Sequence, residues 1–300
     1  MADQKKIFAH LAIFGANLIY GINYSVAKGL MPDYLSPFAF IFCRVFGALL
    51  LFLLLSSVRK TDKIERSDFL RLALCGLFGV AGNQLMFFYG LNLTSPINAA
   101  IIMTSNPILV MIFAALIIKA KITPTKLAGV FLGLAGAAAL ILHGNPLTVE
   151  SDGLLGDLFI FLNGTSYALY LVLVKPLMSK YSPLTVIKWV FVFGACYVFP
   201  FGFQEVQTVE WASFTSSVWY AFAFVVAGTT FLAYLFNIYG LKRLNPTTVS
   251  TYIYSQPLIA SIIAILFYDG ELDLVKVLSA ILIFSGVYLV SIRKPVQTKA

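Results

Sequence analysis

The side chains of this chain best placed to do chemistry are uncharged ones lying inside long apolar runs. Asn17 and Tyr20 interrupt the first run, Asn83 and Gln84 the third, and Asn106 the fourth. Tyr167 lies in the sixth, Tyr234 and Asn237 in the eighth, and Ser255 and Gln256 in the ninth. Each can donate and accept hydrogen bonds. In hydrocarbon such groups are costly unless they face a partner or a wet cavity. The chemistry open to the set is reversible binding. Amides and phenols can hold the ammonium and carboxylate groups of a small molecule, with tyrosine rings as an aromatic wall. Any one of these residues could instead bond helix to helix, a contact worth about 0.6 kcal/mol. Their gathering at related positions favours a shared cavity.

Bond-making chemistry is not indicated. The runs contain no nucleophile–base pair and no carboxylate cluster. Cys43, Cys75 and Cys196 are far apart, and His10 and His143 sit near predicted helix ends without the companions a metal needs. No catalytic residue, metal or cofactor is expected. The absence of a GxxxxGK[ST] loop removes ATP as a direct energy source. Asp157 lies one turn into the sixth run, and Asp152 and Asp269 lie at boundaries, so no acid occupies a span centre. A proton relay through a central carboxylate is therefore not expected, and exchange or facilitated diffusion fits better. Arg44 is the only strong charge well inside a run. A structural role, with a side chain able to snorkel to the surface, is expected for it in preference to direct anion binding. Pro107 and Pro257 lie within the fourth and ninth runs and free the carbonyls of Met103 and Ile253. They are the candidate hinges.

The elements that carry these residues are legible in the composition. Hydrophobic residues make up 60% of the chain and charged ones 11%, with mean hydropathy +0.89. Soluble domains are about 45–50% apolar and about 25% charged, so an all-α integral membrane protein is expected. Apolar windows long enough to span a bilayer, about 20 residues, fall at 7–28, 37–58, 69–91, 96–118, 125–142, 154–174, 184–203, 217–241, 247–268 and 274–292, predicting ten helices. Basic residues cluster in alternate connections, at Arg59 to Arg71, Lys119 to Lys126, Lys175 to Lys188 and Lys242 to Arg243. That places both termini in the cytoplasm. It also accounts for the net charge of +8 without nucleic acid. The expected partners are a small-molecule substrate and the lipid bilayer, and a single chain is compatible with a monomer.

The chain repeats itself. YGLNLTSPINAAIIMTSNP from Tyr89 and YGLKRLNPTTVSTYIYSQP from Tyr239 align without a gap, and the register continues through Gly136 and Gly286. The halves are expected at 1–145 and 146–300. Aligning Lys28 with Lys175 pairs Tyr20 with Tyr167 and Asn23 with Tyr170; the later offset pairs Gln84 with Tyr234. Five spans per half is an odd number, so the halves should be inverted about an axis in the membrane plane. Sites in such proteins form at the repeat interface near the midplane.

These features resemble the drug/metabolite transporter superfamily in its EamA branch. The resemblance rests on YGINYSVAKGL at Tyr20 to Leu30, on the Pro-then-Arg pattern of PFAFIFCRVFGALLLF at Pro37 to Phe52, and on the duplicated YGL and proline motif. One departure is Lys119 to Lys121, which stands where the family commonly has an acidic–basic turn. The resemblance implies ten helices, with the first, third, fourth, sixth, eighth and ninth around a central cavity. It also implies export of amino acids or related metabolites across the cell (inner) membrane. The other classes to be tested against are a passive channel and a membrane-embedded enzyme.

Overall fold

Three helices start by one rule. Ser36, Thr123 and Ser182 each precede a proline, and each side-chain oxygen accepts a first-turn N–H, from Ala39, Lys126 and Thr185. The oxygen satisfies an orphan donor, and proline already holds a helical φ.

The computed structural model describes residues 2–31, 33–94, 96–143, 153–259, 262 and 273–292. The expected boundary at 145/146, Asp152, Asp269 and Glu271 lie outside the described residues, as do the side chains of Lys28 and Asn98. The helices are α1 (Ala2–Lys28), α2 (Pro37–Val58), α3 (Arg66–Leu93), α4 (Pro96–Met103 and Asn106–Ile118) and α5 (Pro124–Leu142). Then come α6 (Gly153–Lys180), α7 (Pro183–Gln207), α8 (Ser216–Arg243), α9 (Pro246–Thr251, continued by the tighter turn Tyr252–Tyr254) and α10 (Leu274–Ser291). The protein is all-α, and eight helices among the described residues, α2 to α8 and α10, are long and apolar enough to cross a membrane. α1 adds a helix of 27 residues.

The packing follows the repeat. α5 lies on α10, α2 on α7, α3 on α6 and α1 on α8. The first two pairs join repeat mates, and the last two exchange with each other under the repeat. Backbone closeness sets the α5–α10 seam. A Cβ on Gly129 would sit 2.8 Å from the Gly286 carbonyl oxygen, and one on Gly136 would sit 2.8 Å from that of Ser279. Gly136 is the mate of Gly286 and Gly129 that of Ser279, so the two contacts are one contact seen twice. Without a hydrophobic driving force between helices in lipid, such small residues let backbones meet. Phe131 and Phe284 point away from the seam and are 53% and 52% exposed. On the α2–α7 side Phe42 stacks on Phe46 with centroids 4.2 Å apart, and Phe199 stacks on Phe203 at 4.7 Å.

Two irregularities also occur twice. α3 widens into a π turn at Leu77–Ala81, and α8 does so at Phe224–Leu232, which contains the repeat-equivalent positions. α4 breaks at Thr104 and Ser105, and α9 tightens at Tyr252–Tyr254, each just ahead of its proline. Pro107 therefore lies in the first turn of a new helical segment rather than within one continuous helix. Proline lacks the N–H that would continue the ladder and crowds the preceding turn. Ser105 and Ser255 then donate to the carbonyls three residues back, Ile102 at 2.7 Å and Tyr252 at 2.6 Å.

Candidate functional site

The π turns determine where the polar side chains point. A widened turn leaves carbonyls open to groups from other helices. In α3 the Phe78 carbonyl accepts from Ser166 Oγ at 2.8 Å, and the Gly79 carbonyl accepts from the Tyr234 hydroxyl at 3.0 Å. Just beyond the turn, the Asn83 carbonyl accepts from Asn163 Nδ2. Gln84 Nε2 reaches the Tyr234 hydroxyl at 3.4 Å. In α8 the Thr229 hydroxyl donates to Asn23 Oδ1 at 3.0 Å. Gly79, the mate of Thr229, lies against the ring of Tyr170, the mate of Asn23, and any Cβ there would overlap it.

These helices enclose a chamber of about 540 Å³. Eight of the ten sequence-predicted residues line it: Asn17, Tyr20, Asn83, Gln84, Tyr167, Tyr234, Asn237 and Gln256. They are linked across the chain halves. Asn237 Nδ2 donates to the Tyr20 hydroxyl at 3.2 Å, and Gln256 Nε2 to Asn17 Oδ1 at 2.8 Å.

Two predicted residues lie behind the wall. Asn106 is fully buried, with Nδ2 donating to the Gly164 carbonyl at 3.0 Å. Ser255 is buried, and its hydroxyl is engaged by the Tyr252 carbonyl. Asn106 thus ties α4 to α6, and Ser255 ties back within the tightened turn of α9, so both polar groups are taken up by backbone carbonyls rather than by the cavity. The Asn106 contact has a counterpart, because Gly164 is the mate of Asn17 as Gln256 is of Asn106.

Sequence reading placed six helices around the cavity, and all six contribute. α2 is a seventh, through Pro37 and Arg44. Arg44 does not snorkel: it is 5% exposed and its Nε donates to Thr230 Oγ1 at 3.0 Å. Asn163 is a second lining residue that the set omitted; its signal is the one-turn spacing to Tyr167. Asn23, Asn92 and Thr229 also line the chamber.

The chamber is asymmetric along the bundle. Its lining runs to Met31, Pro37 and Asn92 at one end. The other end, which carries most of the basic residues, is tied across the halves. Asp62 accepts from the Ser182 N–H at 2.6 Å and from the Thr185 hydroxyl at 3.0 Å. Asp68 pairs with Lys180 at 2.9 Å and accepts from the Tyr181 hydroxyl at 2.7 Å. Within the second half, Lys242 Nζ donates to the Tyr181 carbonyl at 3.1 Å. The Ser182 backbone N–H and its neighbours hold the Asp62 carboxyl below the usual carboxylate range. At the opposite end His143 meets Asp273 at 2.9 Å, and Asp273 is lowered to about 2, chiefly by the Lys276 backbone N–H.

The pattern of the EamA-like transporter family matches residues 7–142 and again 154–292, once in each half. This chain belongs to the EamA-like transporter family. Among relatives of this EamA-like protein, the "Uncharacterized transporter YyaM" of Bacillus subtilis (strain 168) is 28% identical, covering 96% of this chain and 95% of the relative. "Protein WALLS ARE THIN 1" of Arabidopsis thaliana is 25% identical, covering 98% of this chain and 85% of that protein. A solved crystal structure at 17% identity superposes with a TM-score of 0.77 over 94% of this chain and 95% of the other, so the two share a fold. The protein is thus a multi-pass membrane protein of a transporter family.

Proposed function

We propose that this chain is a facilitative or exchange transporter that exports small metabolites, amino acids foremost, across the cell (inner) membrane. In this reading the halves 1–145 and 146–300 are inverted five-helix repeats, and the chamber between them is the substrate site. The observation that carries the reading is the chamber itself: about 540 Å³, lined from both halves, with repeat mates Gln84 and Tyr234 in contact on its wall. Substrate sites of inverted-repeat transporters form where the repeats meet. Two lining residues, Gln84 and Asn163, carry buried amide oxygens with no hydrogen-bond partner among the described residues, a spare acceptor capacity on this wall.

The basic end is assigned to the cytoplasm. With that end tied shut and the lining running to the other, the described conformation is outward-facing. A site sealed on one side suits alternating access rather than an open pore, and the breaks at Pro107 and Pro257 are the hinges about which it would reverse. The test is counterflow in liposomes. Vesicles preloaded with unlabelled L-phenylalanine or L-leucine should accumulate the labelled amino acid transiently and saturably. Linear flux without counterflow would indicate a channel, and no flux with any amino acid would remove the assigned cargo.

A further inference from the structure

Arg44 supplies the only formal charge on the chamber wall among the described residues. It is 95% removed from solvent, being 5% exposed, and makes no ion pair with any described residue. A buried charge without a counter-charge is costly, and no acid among the described residues lines the chamber to offset it. The guanidinium is nonetheless held in one place. Its Nε is anchored on Thr230, and its central carbon lies 5.5 Å from the Phe40 ring centre and 5.3 Å from that of Phe88. Aromatic faces attract the cation without neutralising it. The anchor uses one N–H of the fork and leaves the terminal nitrogens without a protein partner among the described residues.

We propose that Arg44 is the substrate's anion site, and that the chamber selects small monocarboxylates, amino acids included, over their neutral counterparts. This rests on the chamber being the substrate site. The planar fork matches a carboxylate bidentately. One guanidinium balances one negative charge. Among the described residues no second basic group lines the chamber, so a phosphate dianion would bring a charge that none of them offsets. The anchor also spans the halves, since Arg44 belongs to α2 and Thr230 to the π turn of α8. A carboxylate docked there bears on both.

The test uses the purified full chain and matched pairs differing only at the acid: L-phenylalanine and L-phenylalaninamide, L-leucine and L-leucinamide, 3-phenylpropionate and 3-phenylpropanamide, with phenyl phosphate as a further arm. Saturating carboxylates should raise Tm by about 3 °C, the scale expected of mass-action stabilisation, while amides and phenyl phosphate leave it unchanged. Arg44→Met should lose the discrimination, and Arg44→Lys should keep it with weaker binding. Equal stabilisation by acids and amides, no shift with any carboxylate, tighter binding of phenyl phosphate, or a folded Arg44→Met that still prefers acids would each overturn the proposal. The wild-type pairs decide the matter even if the variants fail to fold. Counterflow with the same compounds separates the two readings. Saturable counterflow of the amides would leave transport standing and remove the anion site. Carboxylate binding without flux would keep the anion site and remove transport.

Discussion

Gln84 and Tyr234 occupy equivalent places in the two repeats, and they touch: Gln84 Nε2 lies 3.4 Å from the Tyr234 hydroxyl, 150 residues on. A residue can meet its own mate only close to the axis that relates them. In the inverted-repeat reading proposed above, the pair marks where the halves turn about each other, and the chamber surrounds it. Other contacts are exchanged across the same axis: Gln256 with Asn17 against Asn106 with Gly164, and Gly129 with Gly286 against Gly136 with Ser279.

Removing either group at this axis should impair transport without unfolding the protein. Gln84→Ala deletes this hydrogen bond, worth about 1 kcal/mol, and Tyr234→Phe deletes it together with the bond to the Gly79 carbonyl, so transport efficiency should fall about fivefold in the first and further in the second. Because the two share one contact, the double variant should fall less than the product of the single effects. Additive losses in counterflow assays would show that the contact is not coupled to transport.

The α5–α10 seam should be a site of stability and not of transport. Gly129→Val and Gly286→Val would place side chains into backbone, and overpacking of this kind costs about 1–3 kcal/mol. Lowered Tm and yield are expected. Phe131→Ala with Phe284→Ala, on the exposed face, should leave counterflow unchanged. Normal stability in the valine variants would mean that the seam is looser than described.

The orientation can be read with cysteines after replacing Cys43, Cys75 and Cys196. A cysteine at Glu210, in the connection between α7 and α8, should react with an impermeant maleimide in intact cells. One at Lys60 should react only after permeabilisation. The reverse pattern would invert the protein in the membrane.

The tied end should behave as a gate. Asp62→Asn with Asp68→Asn removes the negative charges, and one acceptor oxygen of each side chain, by which the first half holds the second. A Val249→Cys probe in the chamber wall should then be labelled faster from the cytoplasmic face of inverted vesicles. The pH dependence has a definite sign. The Asp62 carboxyl is lowered in the folded protein, so its contribution is complete above the ordinary carboxylate pKa of about 4. It is lost as pH falls through the lowered value. Cytoplasmic labelling of wild type should rise only under such acid conditions, and labelling insensitive to both changes would deny the gate.

Asp157 accepts from Thr94 Oγ1 at 2.5 Å, near the outer ends of α6 and α3, and does not line the chamber. Asp157→Asn should leave counterflow largely intact. Loss of proton-dependent uptake with exchange preserved would place coupling there instead.

The sequence by itself determined the membrane class, the helical spans and the repeat register, because each is written locally. Apolar runs must be long enough to cross hydrocarbon, Ser/Thr–Pro pairs start helices, and a shared offset survives in the spacing of Tyr, Gly and Pro. It also singled out eight of the thirteen polar or charged side chains on the chamber wall, since a polar group in mid-span has few places to go. What the tertiary structure alone decided is which of those groups face inward. Asn106 and Ser255 share the type and depth of Gln84 and Gln256, yet the breaks before Pro107 and Pro257 turn them onto backbone carbonyls. Arg44 reads as a snorkelling charge until Phe40, Phe88 and Thr230 from other turns and helices are seen to hold it inside. A π turn rotates every residue beyond it relative to the regular 100° step, and that rotation depends on the helices packed around it, so a one-helix pattern could name candidates but not separate Asn106 and Ser255 from the residues that line the wall.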